Sequence, residues 1–93
     1  MRKYVAMITT RRGSVSASYP RLFQHLTANQ SHMFFYEGVI WFRHSKDVKG
    51  VFAELSALIN PEDELCVLEI SGGLFQTQDA RRTEQMRNFF AGQ

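Results

Sequence analysis

Residues 32–43 read His-Met-Phe-Phe-Tyr-Glu-Gly-Val-Ile-Trp-Phe-Arg, and this stretch decides the fold. Two runs rich in aromatic and apolar residues flank Glu37-Gly38, which suits the two-residue loop of a tight β-hairpin with Gly38 at a positive φ. A direct register sets Tyr36 opposite Val39, Phe35 opposite Ile40, Phe34 opposite Trp41, Met33 opposite Phe42 and His32 opposite Arg43. Side chains alternate along a strand. One face then carries Met33, Phe35, Ile40 and Phe42; the other carries His32, Phe34, Tyr36, Val39, Trp41 and Arg43. An antiparallel sheet usually wets one of its faces. A second apolar face calls for another layer, another chain or nucleobases.

On either side of the hairpin the pattern switches between strand and helix. Residues 2–10 form an apolar, β-branched run, and 11–18 a Gly/Ser-containing loop. Tyr19, Leu22, Phe23 and Leu26 fall at helical spacing, which predicts a helix over 19–29 with Ser18 as N-cap and Pro20 in its first turn. A second helix is capped by Ser45 or Asp47 and has the stripe Val48, Val51, Phe52, Leu55, Leu58 and Ile59; Asn60-Pro61 stops it. Residues 65–71 are a nearly unbroken apolar strand ended by Gly72-Gly73. Residues 74–77 suit a short edge strand, and 78–91 a helix with Ala80, Thr83, Met86, Phe89 and Phe90 on one side.

The order β-α-β-β-α-β is the ferredoxin-like split arrangement. The expected class is therefore α+β, with a four-stranded antiparallel sheet and two helices on one face. A chain of 93 residues makes one domain, with a core over about 2–72 and a C-terminal extension over 73–93. The opposite sheet face is expected to be open and to present Phe34, Tyr36 and Trp41.

The net charge is only +2, but it is unevenly spread. Residues 1–46 hold seven Lys/Arg against Glu37 alone, and residues 47–93 hold four against eight carboxylates. The basic half fits an anionic partner, two protomers whose opposite-sign regions attract, or a plain solvated surface of mixed charge. A lone Cys66 excludes an internal disulfide and fits a reducing, cytoplasmic setting. No apolar run is long enough for a membrane span, so no membrane partner is expected.

Candidate chemistry follows from residue type and spacing. The loop Thr9-Thr10-Arg11-Arg12-Gly13-Ser14-Val15-Ser16 joins a strand to a helix, so its amides, hydroxyls and guanidinium groups make it a candidate phosphate site, with a plain soluble loop as the alternative. It lacks the spacing of a nucleotide P-loop. Arg11, Arg12, Ser14, Arg21 and Arg43 are the candidate phosphate or nucleic-acid contacts. Phe34, Tyr36 and Trp41 are a candidate dimer interface or base-stacking face, with coverage by the C-terminal helix as the third alternative. His25, His32, His44 and Cys66 have no metal-ligand spacing, and no nucleophile motif is present. No catalytic residue, metal or cofactor is assigned. Glu69 interrupts an apolar strand and so faces solvent or a basic partner.

Four passages carry a family resemblance: residues 4–10, Tyr19-Pro20-x-Leu22-Phe23, Gly38-Val39-Ile40-Trp41-Phe42, and Asn60-Pro61-Glu62-Asp63-Glu64-Leu65 through Glu69-Ile70-Ser71-Gly72. Over residues 2–73 the chain resembles the small ferredoxin-fold proteins around the second CRISPR-associated adaptation protein. The virulence-associated D endoribonucleases and related toxin–antitoxin proteins share that fold. The resemblance implies a homodimer with sheet faces together, the sheet extended by a C-terminal segment that residues 74–77 suit, and a phage-defence or toxin–antitoxin setting. The nucleases of that group carry an aspartate at the end of the first strand, where this chain has Thr9 and Thr10. Two hydroxyls do not replace two carboxylates as magnesium ligands. The expectation is a non-catalytic homodimeric module for RNA, DNA or a nucleotide. A metal-dependent endoribonuclease-like enzyme and a protein-binding inhibitor or accessory are the alternatives.

Overall fold

The computed structural model describes residues 1–11, 13–28, 32–73 and 76–91, with 27–28, 32–36 and 91 described by backbone course alone. Strand β1 (Arg2–Thr9) is followed by helices α1 (Val15–Ser18) and α2 (Pro20–Ala28), and then by the hairpin β2 (His32–Tyr36) and β3 (Val39–His44). Helix α3 (Val48–Ser56), strand β4 (Glu64–Ile70) and helix α4 (Ala80–Ala91) complete the chain. The strands form one four-stranded sheet in the order β2-β3-β1-β4, with antiparallel neighbours throughout. The α+β class is as expected from the sequence, and the strand order is compatible with a ferredoxin-like arrangement.

Local chemistry sets the helix ends. Asp47, one of the two expected caps, accepts the Gly50 amide at 2.9 Å and starts α3. The first helical segment begins earlier than the pattern predicts. Ser14 caps α1 by accepting the Ala17 amide at 3.2 Å, and the chain breaks at Tyr19 before Pro20 opens α2. Proline at a first helical position gives up an N–H that would have no partner there anyway. In the hairpin turn, Gly38 has φ +80°, and a Cβ built there would lie 2.5 Å from the Ile8 carbonyl oxygen.

The core lies on one face of the sheet. Tyr4, Ala6, Ile8, Ile40 and Phe42 form a single buried cluster with Leu22 and Leu26 of α2 and Val51 and Leu55 of α3. Tyr4 stacks on Phe42 with ring centroids 5.6 Å apart and donates its hydroxyl to the Lys46 carbonyl at 2.6 Å. The α3 stripe is narrower than its sequence suggests, because Val48 and Phe52 are exposed and stand outside the buried cluster.

Two expectations for the hairpin change. The structure pairs His32 with Phe42, Met33 with Trp41 and Phe34 with Ile40, while Tyr36 stays opposite Val39. An irregularity between Phe34 and Tyr36 absorbs one residue, so every pair beyond it slips by one from the direct register. The opposite sheet face is also not open at Trp41. Helix α4 buries Met86 and Phe89 there, with Phe90, Trp41 and Ile70 packed against them. Trp41 meets Phe89 and Phe90 edge-on, at centroid distances of 5.7 and 6.1 Å. The tail therefore serves as a third layer over part of the second apolar face. The short edge strand expected at 74–77 lies in part outside the described residues, and Gln76 and Thr77 have no strand structure.

Candidate functional site

The strand-to-helix loop places its polar groups against the chain's own carboxylates. The Val15 amide donates to Glu37 Oε1, and the Ser16 amide approaches the same oxygen at 3.4 Å. Glu37 comes from the β2–β3 turn and holds the amides that a phosphate would need. The Arg11 amide donates to Asp63 Oδ1 at 3.4 Å, and Thr9 Oγ1 donates to Glu64 Oε1 at 3.2 Å. Thr9, Thr10 and Arg11 share a shallow cavity of about 260 Å³ with Glu62 and Glu64. Ser14 is occupied as the α1 cap. Arg21 is exposed on the first turn of α2, beside Tyr19. The Tyr19 hydroxyl donates to Asp63 and accepts the Asn60 amide at 3.2 Å; burial and then that donation to Asp63 raise its pKa. Arg12 lies outside the described residues.

The expected phosphate contacts are thus divided between two ends of the molecule. Arg11, Ser14 and Arg21 sit at the end that carries Glu37, Glu62, Asp63 and Glu64, where those carboxylates oppose an anionic ligand. Arg43 sits at the other end. There the register sets Arg2 opposite His44 and Lys3 opposite Arg43, and Lys46 follows in the connection to α3. The carboxylates at this end are engaged: Glu69 by Arg2 at 3.6 Å, Glu54 by Lys46, and Asp47 as the α3 cap. The sequence asymmetry between the two halves of the chain becomes an end-to-end polarity of the sheet.

Of the expected aromatic face, Trp41 is covered by α4, which corrects its reading as an open dimer or stacking residue. The side chains of Phe34 and Tyr36 lie outside the described residues. Uncovered apolar side chains on this face are Met7 on β1 and Leu68 on β4, beside the exposed Cys66.

A further cluster has no counterpart in the sequence reading. His25 of α2, His44 of β3 and Glu54 of α3 converge beneath the cationic end, with donor atoms within 4.8 Å of one another. His44 is buried, and its Nδ1 accepts the Lys46 amide at 3.1 Å. That contact leaves the ring proton on Nε2, which donates to Glu54 Oε2 at 2.9 Å. His25 Nε2 meets the same oxygen at 3.0 Å, and Lys46 Nζ pairs with Glu54 Oε1. Lys46 first, and the two imidazoles after it, push the Glu54 pKa down to about 2 against the opposing effect of burial.

The donor set of two imidazoles and a carboxylate is one that borderline metals accept. Binding through His44 Nε2 would move the ring proton to Nδ1, head-on to the Lys46 N–H. The residues therefore fit a hydrogen-bonded carboxylate clamp joining α2, β3 and α3 better than a cation site. The available sequence signal was Glu54 itself, a carboxylate beside the buried Val51 and Leu55 of the α3 stripe.

No protein-family model, curated protein or solved structure matches this chain.

Proposed function

We propose that this chain is a non-enzymatic binding module, acting as a homodimer, for a phosphate-bearing ligand that is either nucleic acid or a nucleotide. The cationic end of the sheet makes the contact. One observation carries the reading: cross-strand register sets Lys3 beside Arg43 at the end of the sheet where Glu69 is paired with Arg2, Glu54 with Lys46 and Asp47 caps α3, while Glu37, Glu62, Asp63 and Glu64 collect at the other end. Lys3 and Arg43 are direct cross-strand neighbours, close enough to bracket one phosphate group. Of the contacts expected from the sequence this reading keeps Arg43, adds Lys3 beside it and sets aside Arg11, Ser14 and Arg21; Arg12 lies outside the described residues. The ferredoxin-like topology and the resemblance to the CRISPR-associated adaptation group agree with a small nucleic-acid-associated module. Thr9 and Ser14 are held in structural hydrogen bonds, which agrees with a binding role over cleavage.

Fluorescence anisotropy with labelled single-stranded RNA, duplex DNA and a nucleoside triphosphate, titrated over a salt series, tests the reading. Affinity falls with salt, and Lys3→Ala and Arg43→Ala each flatten the logarithmic slope by about one unit. Arg11→Ala leaves it unchanged. Absence of binding to all three probes at low salt overturns the proposal. Cleavage of the labelled RNA would assign an enzyme instead.

A further inference from the structure

We propose that two copies of this chain join edge to edge along β4, pairing Glu64–Ile70 antiparallel with itself about a two-fold axis at Val67. The two four-stranded sheets then become one continuous sheet. This inference rests on the homodimer part of the proposed function and goes beyond it by naming the surface and the register.

β4 ends the strand order, and among the described residues its ladder partner is β1 alone. Natural edges of this length are usually blunted by lysine, proline, a bulge or a covering segment. The strand Glu-Leu-Cys-Val-Leu-Glu-Ile has no lysine or proline; its charges are Glu64 at its start and Glu69 near its finish, which leave Leu65–Leu68 uncharged, and it runs in unbroken register with β1 from Lys3↔Ile70 to Thr9↔Glu64. Apolar surface flanks the edge on both sides. On the α4 side, Leu68 is 46% exposed, with Met7 and Cys66 beside it. On the helical side, Phe52 is 45% exposed and lines a groove of about 290 Å³ with Ile59, Pro61 and Leu65.

Charge selects a second copy as the occupant. The acidic end of the sheet lies at the start of β4; at its finish Glu69 is paired with Arg2 at 3.6 Å, and Lys3 and Arg43 add cationic charge on the neighbouring strands. Antiparallel self-pairing sets the acidic end of each copy beside the cationic end of the other, which is the isologous arrangement a two-fold axis requires. Val67 is the midpoint of β4, so a centre there pairs all of the strand. It sets Cys66 opposite Leu68 of the second copy, Leu65 opposite Glu69, and Glu64 opposite Ile70. No two carboxylates face each other. Glu64 of the second copy stands one strand beyond Ile70, whose β1 neighbour is Lys3, so Glu64 and Lys3 share a face about 10 Å apart at the backbone.

Size-exclusion chromatography with light scattering should give twice the protomer mass of 10.8 kDa. The double variant Phe52→Glu/Leu68→Glu places carboxylates on both flanks of the acidic strand and should run as a monomer with an unchanged circular dichroism spectrum. The register has its own readout. Leu68→Cys in a chain that keeps Cys66 should form a covalent dimer under mild oxidation, because residues 66 and 68 of the two copies face each other within disulfide range. The Cys66→Ser/Leu68→Cys chain should not, since residue 68 is offset from its own symmetry mate. A monomeric wild type, a dimer that survives the double glutamate variant, or cross-linking that does not need Cys66 overturns the proposal. The RNA titration is read separately: a monomer that binds RNA removes the seam and the homodimer part of the proposed function but leaves the ligand part, a dimer that survives the double glutamate variant removes the seam alone, and a dimer that binds no nucleic acid or nucleotide removes the ligand part alone.

Discussion

The Glu37 carboxylate, carried by the β2–β3 turn, accepts the backbone N–H of Val15 at the start of α1. A side chain of the hairpin thereby caps a helix that precedes it by more than twenty residues. The contact also occupies the amides on which the phosphate reading of this loop depended. Glu37→Ala should lower stability by about 1–2 kcal/mol, in the range of lost capping interactions. Glu37→Gln should cost less, because its amide oxygen still accepts. Urea denaturation of both variants checks the order, and equal losses would refute a hydrogen-bonding role.

Glu54 makes stability sensitive to acid. Its folded-state pKa of about 2 lies below the ordinary value of 4.5, so its contribution is fully present above pH 4.5. That contribution is lost progressively as the pH falls toward 2. The size is on the order of 1–3 kcal/mol, given a side chain that is still partly exposed. Urea midpoints measured between pH 5 and 3 should fall more steeply for wild type than for Glu54→Gln. Parallel curves would show that the clamp contributes nothing.

Gly38 and Gly13 both have positive φ, at +80° and +65°, but their surroundings differ. A Cβ at Gly38 would meet the Ile8 carbonyl oxygen at 2.5 Å, whereas at Gly13 nothing lies within 4 Å. Gly13→Ala should cost about 1 kcal/mol from backbone strain alone. Gly38→Ala should cost more, roughly 2–4 kcal/mol, because Ile8 also donates its amide to the Gly38 carbonyl at 2.8 Å and the turn cannot retreat without breaking that bond. Thermal melts of the two variants provide the comparison.

Trp41 is the single tryptophan, so its emission reports the docking of α4. Phe89→Ala removes a ring that is 4% exposed and should shift the emission to longer wavelength, with a stability loss of about 2–4 kcal/mol. Arg87→Ala, on the exposed side of the same helix, should change neither. An unshifted Phe89→Ala spectrum would mean that α4 does not hold the indole out of water.

Much of the frame was readable residue by residue because its signals are local. Asp47 capping α3, Pro20 opening α2 and the apolar, β-branched run of β1 each act within a few residues. The hairpin was legible as a hairpin, and its register was not. Register is fixed by pattern only where one face is apolar and the other polar. Residues 32–43 are apolar on both faces, so a slip of one residue between Phe34 and Tyr36 leaves the pattern equally satisfied. The feature that announced the strands concealed their alignment.

The candidate site was less legible for a different reason. His25, His44 and Glu54 lie on three separate elements, and no spacing along the chain marks their meeting. Composition alone established the excess of basic residues in the first half. Only the antiparallel ladder decided which of those residues stand together, sending Arg43 to Lys3 and leaving Arg11 beside Asp63. The amino-acid sequence by itself determined the four sheet strands, the three longer helices, their order and the existence of a second apolar face, since these follow from side-chain periodicity and short-range capping; it missed α1. The tertiary structure decided what covers that face and which charges meet, because those outcomes depend on contacts between residues far apart in the chain.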